Sequence, residues 1–285
     1  MNRDCSTTTS APLSTRAIHR LPALLAAGAT DIGPSRSGNE DNFLLDEALG
    51  LAMVADGMGG HAAGEVASAA VLTAVRGYLA QHAGALPIAS GDITLRADPD
   101  ATWPDPATGA VRLLRAAVDH ANADLYRQNR ARGHTDGGGM GTTLTGFWHP
   151  PGSAQMVTFH VGDSRLYRLR GGIFEQLTRD QTMYQQVLES GIFDTLPARN
   201  VLLQAVGPSA TVVPEVRSHL VLPGDMLMLC SDGLHGSVPH ADMESVLAGA
   251  GDDTLDAACA QLIDMAYRCG GRDNITVVLA AGATR

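Results

Sequence analysis

Leu49-Gly50-Leu51-Ala52-Met53-Val54-Ala55 runs apolar and then stops abruptly on Asp56-Gly57. A short apolar run closed by glycine reads as a buried strand. The pattern returns at Asp225-Met226-Leu227-Met228-Leu229-Cys230, which gives way to Ser231-Asp232-Gly233. Outward from the first run, Leu24 to Thr30 and Asn42 to Leu45 also read as strands. From Gly64 to Ala80 the period changes, with Val66, Ala69, Ala70, Thr73, Ala74 and Leu79 at helical spacing, and a second helix follows over Ala110 to Arg130. The stretch 84–109 between them is rich in Pro, Gly, Asp and Ala and is expected to be a surface insertion. Thr142 to Trp148, Ala154 to Val161 and Leu166 to Leu169 are separated by turn residues and predict an antiparallel meander. A short helix over Thr182 to Ser190, two more over His240 to Ala248 and Leu255 to Cys269, and a last strand over Asn274 to Ala280 complete the chain. Strands cluster and helices cluster, so the expected class is α+β. Residues 1–22, rich in Ser, Thr and Pro, read as a flexible lead-in, and 23–285 as one domain.

Composition narrows the function classes. The chain has 285 residues, 45% apolar, with aromatics at only 4%, so Ala, Val, Leu and Met are expected to fill the core. Its net charge of −10 and lack of any Lys/Arg block disfavour nucleic acid and anionic membranes as partners. Cys5, Cys230, Cys259 and Cys269 form no CxxC pair, which predicts reduced thiols and a cytoplasmic location. The apolar run from Leu21 to Ala29 is too short to span a bilayer and contains Pro22. The Gly137-Gly138-Gly139 run lacks the Gly-Lys-Ser/Thr ending of a nucleotide-binding loop.

A carboxylate at the end of a buried strand is rigidly held, and a glycine beside it lets a ligand approach the backbone. One Asp-Gly is ordinarily a turn. Two on apolar strands, with Asp273-Asn274 before the last strand, make a candidate site for a hard divalent cation. Aspartate oxygens suit Mg²⁺ or Mn²⁺, and no His/Cys cluster competes.

The blocks fall in a telling order: Thr30-Asp31-Ile32-Gly33, Arg36, Asn39-Glu40-Asp41-Asn42-Phe43, Val54-Ala55-Asp56-Gly57-Met58-Gly59-Gly60-His61 and Gly64-Glu65. Met140-Gly141-Thr142-Thr143, Val161-Gly162-Asp163-Ser164-Arg165, Ser231-Asp232-Gly233-Leu234 and Arg272-Asp273-Asn274-Ile275-Thr276 follow. From about Ala23 to the end the chain resembles the bacterial type 2C (PPM) metal-dependent protein serine/threonine phosphatases. The resemblance implies two packed antiparallel sheets, a β-sandwich, flanked by helices. It implies two divalent cations, with Asp56 bridging them, the Gly57 carbonyl on the second, and Asp232 and Asp273 completing the first. It implies that Arg36 receives the substrate phosphate, that Glu40 and Asp41 orient metal-bound waters, and that Asp163 organises the sheet beneath. A metal-bridging hydroxide would then attack phosphoserine or phosphothreonine directly, opposing bacterial Ser/Thr kinases, in a protein expected to be a monomer.

Two positions depart from the family pattern. Met58 stands where eukaryotic relatives carry the histidine proposed as general acid; His61 is the candidate here, with a metal-bound water as rival. A third, weaker cation would need an acid just upstream of the Gly-Thr-Thr block, and Asp136 is the one nearby, displaced by several glycines. The segment Thr178 to Gly207 resembles the family's flap beside the active site. The alternative to an enzyme is a pseudophosphatase, the same fold kept as a phosphoprotein-binding module; the retained Asp56, Asp232 and Asp273 weigh against it.

Overall fold

A computed structural model describes residues 13–14, 18–60, 62–86, 106–150, 153, 155–191 and 196–282. His61 and most of the 84–109 stretch lie outside the described residues. In chain order the strands are β1 (Leu13–Ser14), β2 (His19–Leu21), β3 (Leu24–Asp31), β4 (Asp41–Asp46), β5 (Leu51–Met58), β6 (Gly141–Thr142), β7 (Leu144–Trp148), β8 (Gln155–Val161), β9 (Arg165–Arg170), β10 (Ile173–Gln176), β11 (Glu215–Leu220), β12 (Met226–Cys230) and β13 (Ile275–Gly282). The helices are α1 (Ala62–His82), α2 (Pro106–Ala131), α3 (Met183–Ser190), α4 (Asp232–His235), α5 (His240–Gly249) and α6 (Leu255–Arg268).

Alternation along β12 explains the architecture. Met226, Met228 and Cys230 join one apolar cluster with Leu262 and Ala266 of α6 and Met243 and Leu247 of α5. Leu227 and Leu229 point the other way, into a cluster with Ala52 and Val54 of β5 and Phe147 of β7. Met53 and Ala55 turn their backs on that cluster and pack on Val71, Val75 and Leu79 of α1 and Leu114 and Val118 of α2. Two antiparallel sheets therefore lie face to face with a helix pair on each outer side. Both faces of the central strands are buried, so their sequences read as unbroken apolar runs. One sheet runs β1-β3-β13-β12-β9-β10, with β2 also on β3; the other runs β11-β8-β7-β5-β4, with β6 on β5. Rings are few but central: Trp148, Tyr167, Phe147 and Phe159 are all fully buried.

The expected meander does not form. β7 and β8 pair in one sheet, but β9 pairs with β12 and β10 in the other. The chain changes sheets at Gly162, whose φ of 103° is open to glycine and whose missing Cβ would stand 2.7 Å from Thr143 Cγ2. Two short strands, β1 and β2, lie inside the stretch read as lead-in and pair with β3.

The topology gathers the acids at one end of the sandwich. β5 and β12 end there, β4 and β13 begin there, and Asp41 stands directly across from Asp56. Ile275 opens β13 opposite Asp31 at the close of β3. Side chains at the ends of rigid strands are held more accurately than those on free loops.

Candidate active site

Asp56 is fixed through its backbone. Its N–H donates to Thr143 Oγ1 at 2.9 Å, and its carbonyl accepts from the Thr143 N–H and the Thr142 hydroxyl, each at 2.9 Å. Thr143 Oγ1 in turn lies 2.7 Å from Ser164 Oγ. The Gly-Thr-Thr and Gly-Asp-Ser blocks are thus the scaffold beneath this carboxylate. Asp232 begins the single turn of α4, straight after the buried β12. Asp273 precedes β13, and its Oδ2 takes a 2.6 Å hydrogen bond from Arg36 Nη2.

Asn274 organises the loop that carries Arg36. Its amide donates to the carbonyls of Ile32 at 2.8 Å and Gly38 at 2.9 Å, and its Oδ1 accepts the Glu40 N–H at 2.9 Å. Asp41 is buried, with its Oδ2 taking the Ser231 hydroxyl at 2.6 Å. Gly57 is required sterically: a Cβ there would meet Gly64 O at 2.1 Å and Glu40 O at 2.6 Å. Both obstacles are backbone and cannot swing aside. Gly57→Ala is therefore expected to lower stability by about 2 kcal/mol or more, read as a lowered urea midpoint with an unchanged m-value.

A cavity of about 470 Å³ opens between these elements, lined by Arg36, Glu40, Asp56, Gly57, Asp163, Asp232, Asp273 and Asn274, with Asn200 and Leu202 from the Thr178–Gly207 segment. Burial pushes Asp41 up to about 7, with Asp232 and Asp273 adding repulsion against its hydrogen bonds from Ser231 and Thr276. Asp163 is pushed up to about 7 by burial and then by Asp232 and Asp180. Asp232 rises to about 6 through burial and the charge of Asp273. Asp56 is raised well above the carboxylate range by burial and by Asp41, Asp232, Asp163 and Asp273. These are carboxylates crowded together with too little positive charge among them.

The sequence-predicted residues Arg36, Glu40, Asp56, Gly57, Asp232 and Asp273 all meet in this cavity, with Asp41 directly beneath. Asp136 does not join them: exposed and outside the lining, it accepts the Ala210 N–H at 3.2 Å. Asp163, read as a sheet organiser, lines the cavity itself. Asn200 and Leu202 come from the Thr178–Gly207 segment that the resemblance placed beside the site, although nothing local in that irregular stretch singles out these two residues.

A family model described as Protein phosphatase 2C matches residues 35–264. The chain belongs to the protein phosphatase 2C family. The serine/threonine phosphatase stp of Listeria innocua is 34% identical over 260 residues, covering 88% of this chain and 92% of that one. Among solved structures, PppA, a regulatory component of the type VI secretion system of Pseudomonas aeruginosa, superposes with a TM-score of 0.73 at 29% identity, covering 92% of this chain and 99% of it. The catalytic domain of the serine/threonine phosphatase PstP, solved with two manganese ions, gives 0.71 at 32% identity, covering 90% and 97%. This protein phosphatase 2C is accordingly an enzyme, a protein serine/threonine phosphatase, with the α+β two-sheet fold that its sequence predicts. Among its described residues no helix is long and apolar enough to cross a membrane.

The cavity suits hard cations by charge and donor type. Asp232 Oδ1 is buried without a hydrogen-bond partner, and the surrounding donors are carboxylate and carbonyl oxygens. Among the described residues no three acids, histidines or cysteines converge into a closed cage as they stand, and Asp273 faces Arg36. By charge and donor type the set fits such cations.

Proposed function

We propose that this phosphatase hydrolyses phosphoserine and phosphothreonine in proteins with two divalent cations, Mn²⁺ or Mg²⁺, held by Asp56, the Gly57 carbonyl, Asp232 and Asp273. The observation that carries the reading is the wall of mutually repelling carboxylates with an unpartnered buried oxygen on Asp232. Two such cations together lower the pKa of a shared water and neutralise charge in an in-line displacement, the chemistry that slow phosphate monoesters demand.

The protein's own residues do the rest. Arg36 sits at the rim, and its guanidinium fork matches phosphate oxygens once Asp273 is engaged elsewhere. Glu40 and Asp41, anchored by Asn274 and Ser231, are placed to accept hydrogen bonds from ordered water. Asp136 caps the turn at Ala210, so the proposal stops at two cations. The role of general acid stays with His61 or a water. The proposal extends to action as a monomer on phosphoproteins made by a Ser/Thr kinase.

The test is phosphate release from p-nitrophenyl phosphate and a phosphothreonine peptide in Mn²⁺, with and without EDTA. Turnover that EDTA abolishes and added Mn²⁺ restores is the expected result. A folded protein that turns over neither substrate with Mn²⁺ or Mg²⁺, yet binds the peptide, would replace the catalytic reading with that of a phosphoprotein-binding module.

A further inference from the structure

A second hollow of about 230 Å³ adjoins the catalytic cavity and shares Asp163, Asn200 and Asp232 with it. Its outer wall is Thr182, Tyr184 and Arg199. Tyr184 comes from α3, and Arg199 from the strand-like return that runs beside it, where Met183 N–H donates to Val201 O at 2.8 Å and Leu203 N–H to Gln181 O at 2.7 Å. The Arg199 guanidinium lies over the Tyr184 ring, 4.4 Å from its centre, and Nη2 donates to Tyr184 Oη at 3.0 Å.

Three neighbouring arginines are held by carboxylates, while Arg272 lies outside this hollow, in the next one along. Arg36 pairs with Asp273, Arg165 grips Asp180 through two hydrogen bonds, and Arg179 pairs with Glu189. Arg199 has no carboxylate partner among the described residues, and it is exposed. The other ionisable groups facing the hollow are Asp163, Asp180, Asp232, Tyr184 and His235, the last a buried imidazole that burial pushes down to about 4. Among the described residues lining the hollow, this aromatic-braced guanidinium without a carboxylate partner is thus the cationic group that attracts an anion.

Resting on the phosphatase reading above, we propose that Arg199 is a specificity residue selecting phosphopeptides that carry an anionic side chain close to the phosphoserine or phosphothreonine being hydrolysed. A peptide whose phosphate occupies the main cavity must lead its flanking residues out past the rim, and the hollow adjoins that cavity across Asp163, Asn200 and Asp232. Tyr184 holds the fork in place beforehand, so little rotamer freedom is lost when a carboxylate or phosphate docks. The same anion meets repulsion from Asp163 and Asp232 unless Arg199 answers it. Acidic residues and a second phosphorylated residue offer this chemistry alike.

The experiment compares kcat/KM in Mn²⁺ on phosphothreonine peptides of one frame: Ala-flanked, Glu-flanked, phosphoserine-flanked and Lys-flanked, with the anion walked along both sides. p-Nitrophenyl phosphate, which has no flanks, normalises for the common chemistry. Wild type is expected to favour the anionic peptides, and Arg199→Ala to shrink that preference by about tenfold, chiefly through KM. Arg199→Glu is expected to turn it toward the Lys-flanked peptide. Whichever of the Glu and phosphoserine arms loses more names the natural anion. An anionic-to-Ala ratio that is the same in wild type and Arg199→Ala overturns the proposal, as does a common loss on every substrate including p-nitrophenyl phosphate. If wild type shows no metal-dependent turnover of p-nitrophenyl phosphate at all, the phosphatase reading has failed and this one falls with it.

Discussion

Asp232→Asn is expected to lower Mn²⁺-dependent turnover by about 10³-fold while raising the melting temperature of the metal-free protein. The two effects have one origin. Asp232 opens α4 at the end of a fully buried strand, its Oδ1 has no hydrogen-bond partner, and burial and Asp273 push its carboxyl up to about 6. At neutral pH the ionised group faces the charge of Asp273, which a hydrogen bond with Asp56 and the charge of Arg36 offset only in part, so removing its charge relieves the metal-free protein by a few degrees. With cations bound that charge is the asset. An amide oxygen is a weaker ligand, and several kcal/mol of charge stabilisation in the transition state is lost with it. Scanning fluorimetry without metal and kcat with saturating Mn²⁺ read the two halves. A variant that melts lower than wild type without metal has lost packing rather than repulsion. One that keeps turnover within tenfold of wild type removes Asp232 from the proposed cation site.

The acids were legible because physics marks them locally. A carboxylate and glycine ending an apolar run is visible in one dimension at Asp56-Gly57 and Asp232-Gly233, and both fall in the cavity. The buried strands β3, β5, β12 and β13 were legible for the same reason, being apolar on both faces. What escaped depends on partners distant in sequence. β11 (Glu215–Leu220) has no buried residue, so it carries no apolar signature and exists by pairing with β8. β10 has one buried residue, Phe174. At the change of sheet, Gly162 is required by Thr143 beneath it, a contact 19 residues back that turn residues equally suited to a hairpin do not reveal. Asp163 shows the limit most plainly: its neighbours Gly162 and Ser164 do scaffold the site, yet its own side chain faces the cavity. No local pattern separates those two roles.

Between pH 6 and pH 8 the metal-free protein is expected to lose thermal stability, and the stabilisation by Mn²⁺ to grow over the same range. Asp41 and Asp163 titrate near 7 in the fold and Asp232 near 6, and Asp56 is raised well above its ordinary value by burial and the neighbouring acids, whereas an unfolded aspartate releases its proton near 3.8. Above that value the native state holds more protons than the unfolded chain, so stability falls as pH rises through the native pKa values. Histidines oppose this lower down. Burial drops His160 and His235 to about 4, and they cost stability as pH falls below their ordinary 6.5. That opposition is halved by about pH 6.5 and fades above it, so the net loss is expected chiefly in the upper part of the window. A cation binds the deprotonated acids and releases their remaining protons, so its effect must strengthen as they ionise. At about a hundred times its Kd, Mn²⁺ is worth about 2.7 kcal/mol, or roughly 5–10 °C for a chain of this size. Asp41→Asn, which removes one of the groups titrating near 7 without touching a proposed ligand, is expected to flatten the metal-free slope. A melting temperature that climbs from pH 6 to pH 8 without metal, or a Mn²⁺ shift equal at both ends, would show that the acids are not crowded in solution as they are in this fold.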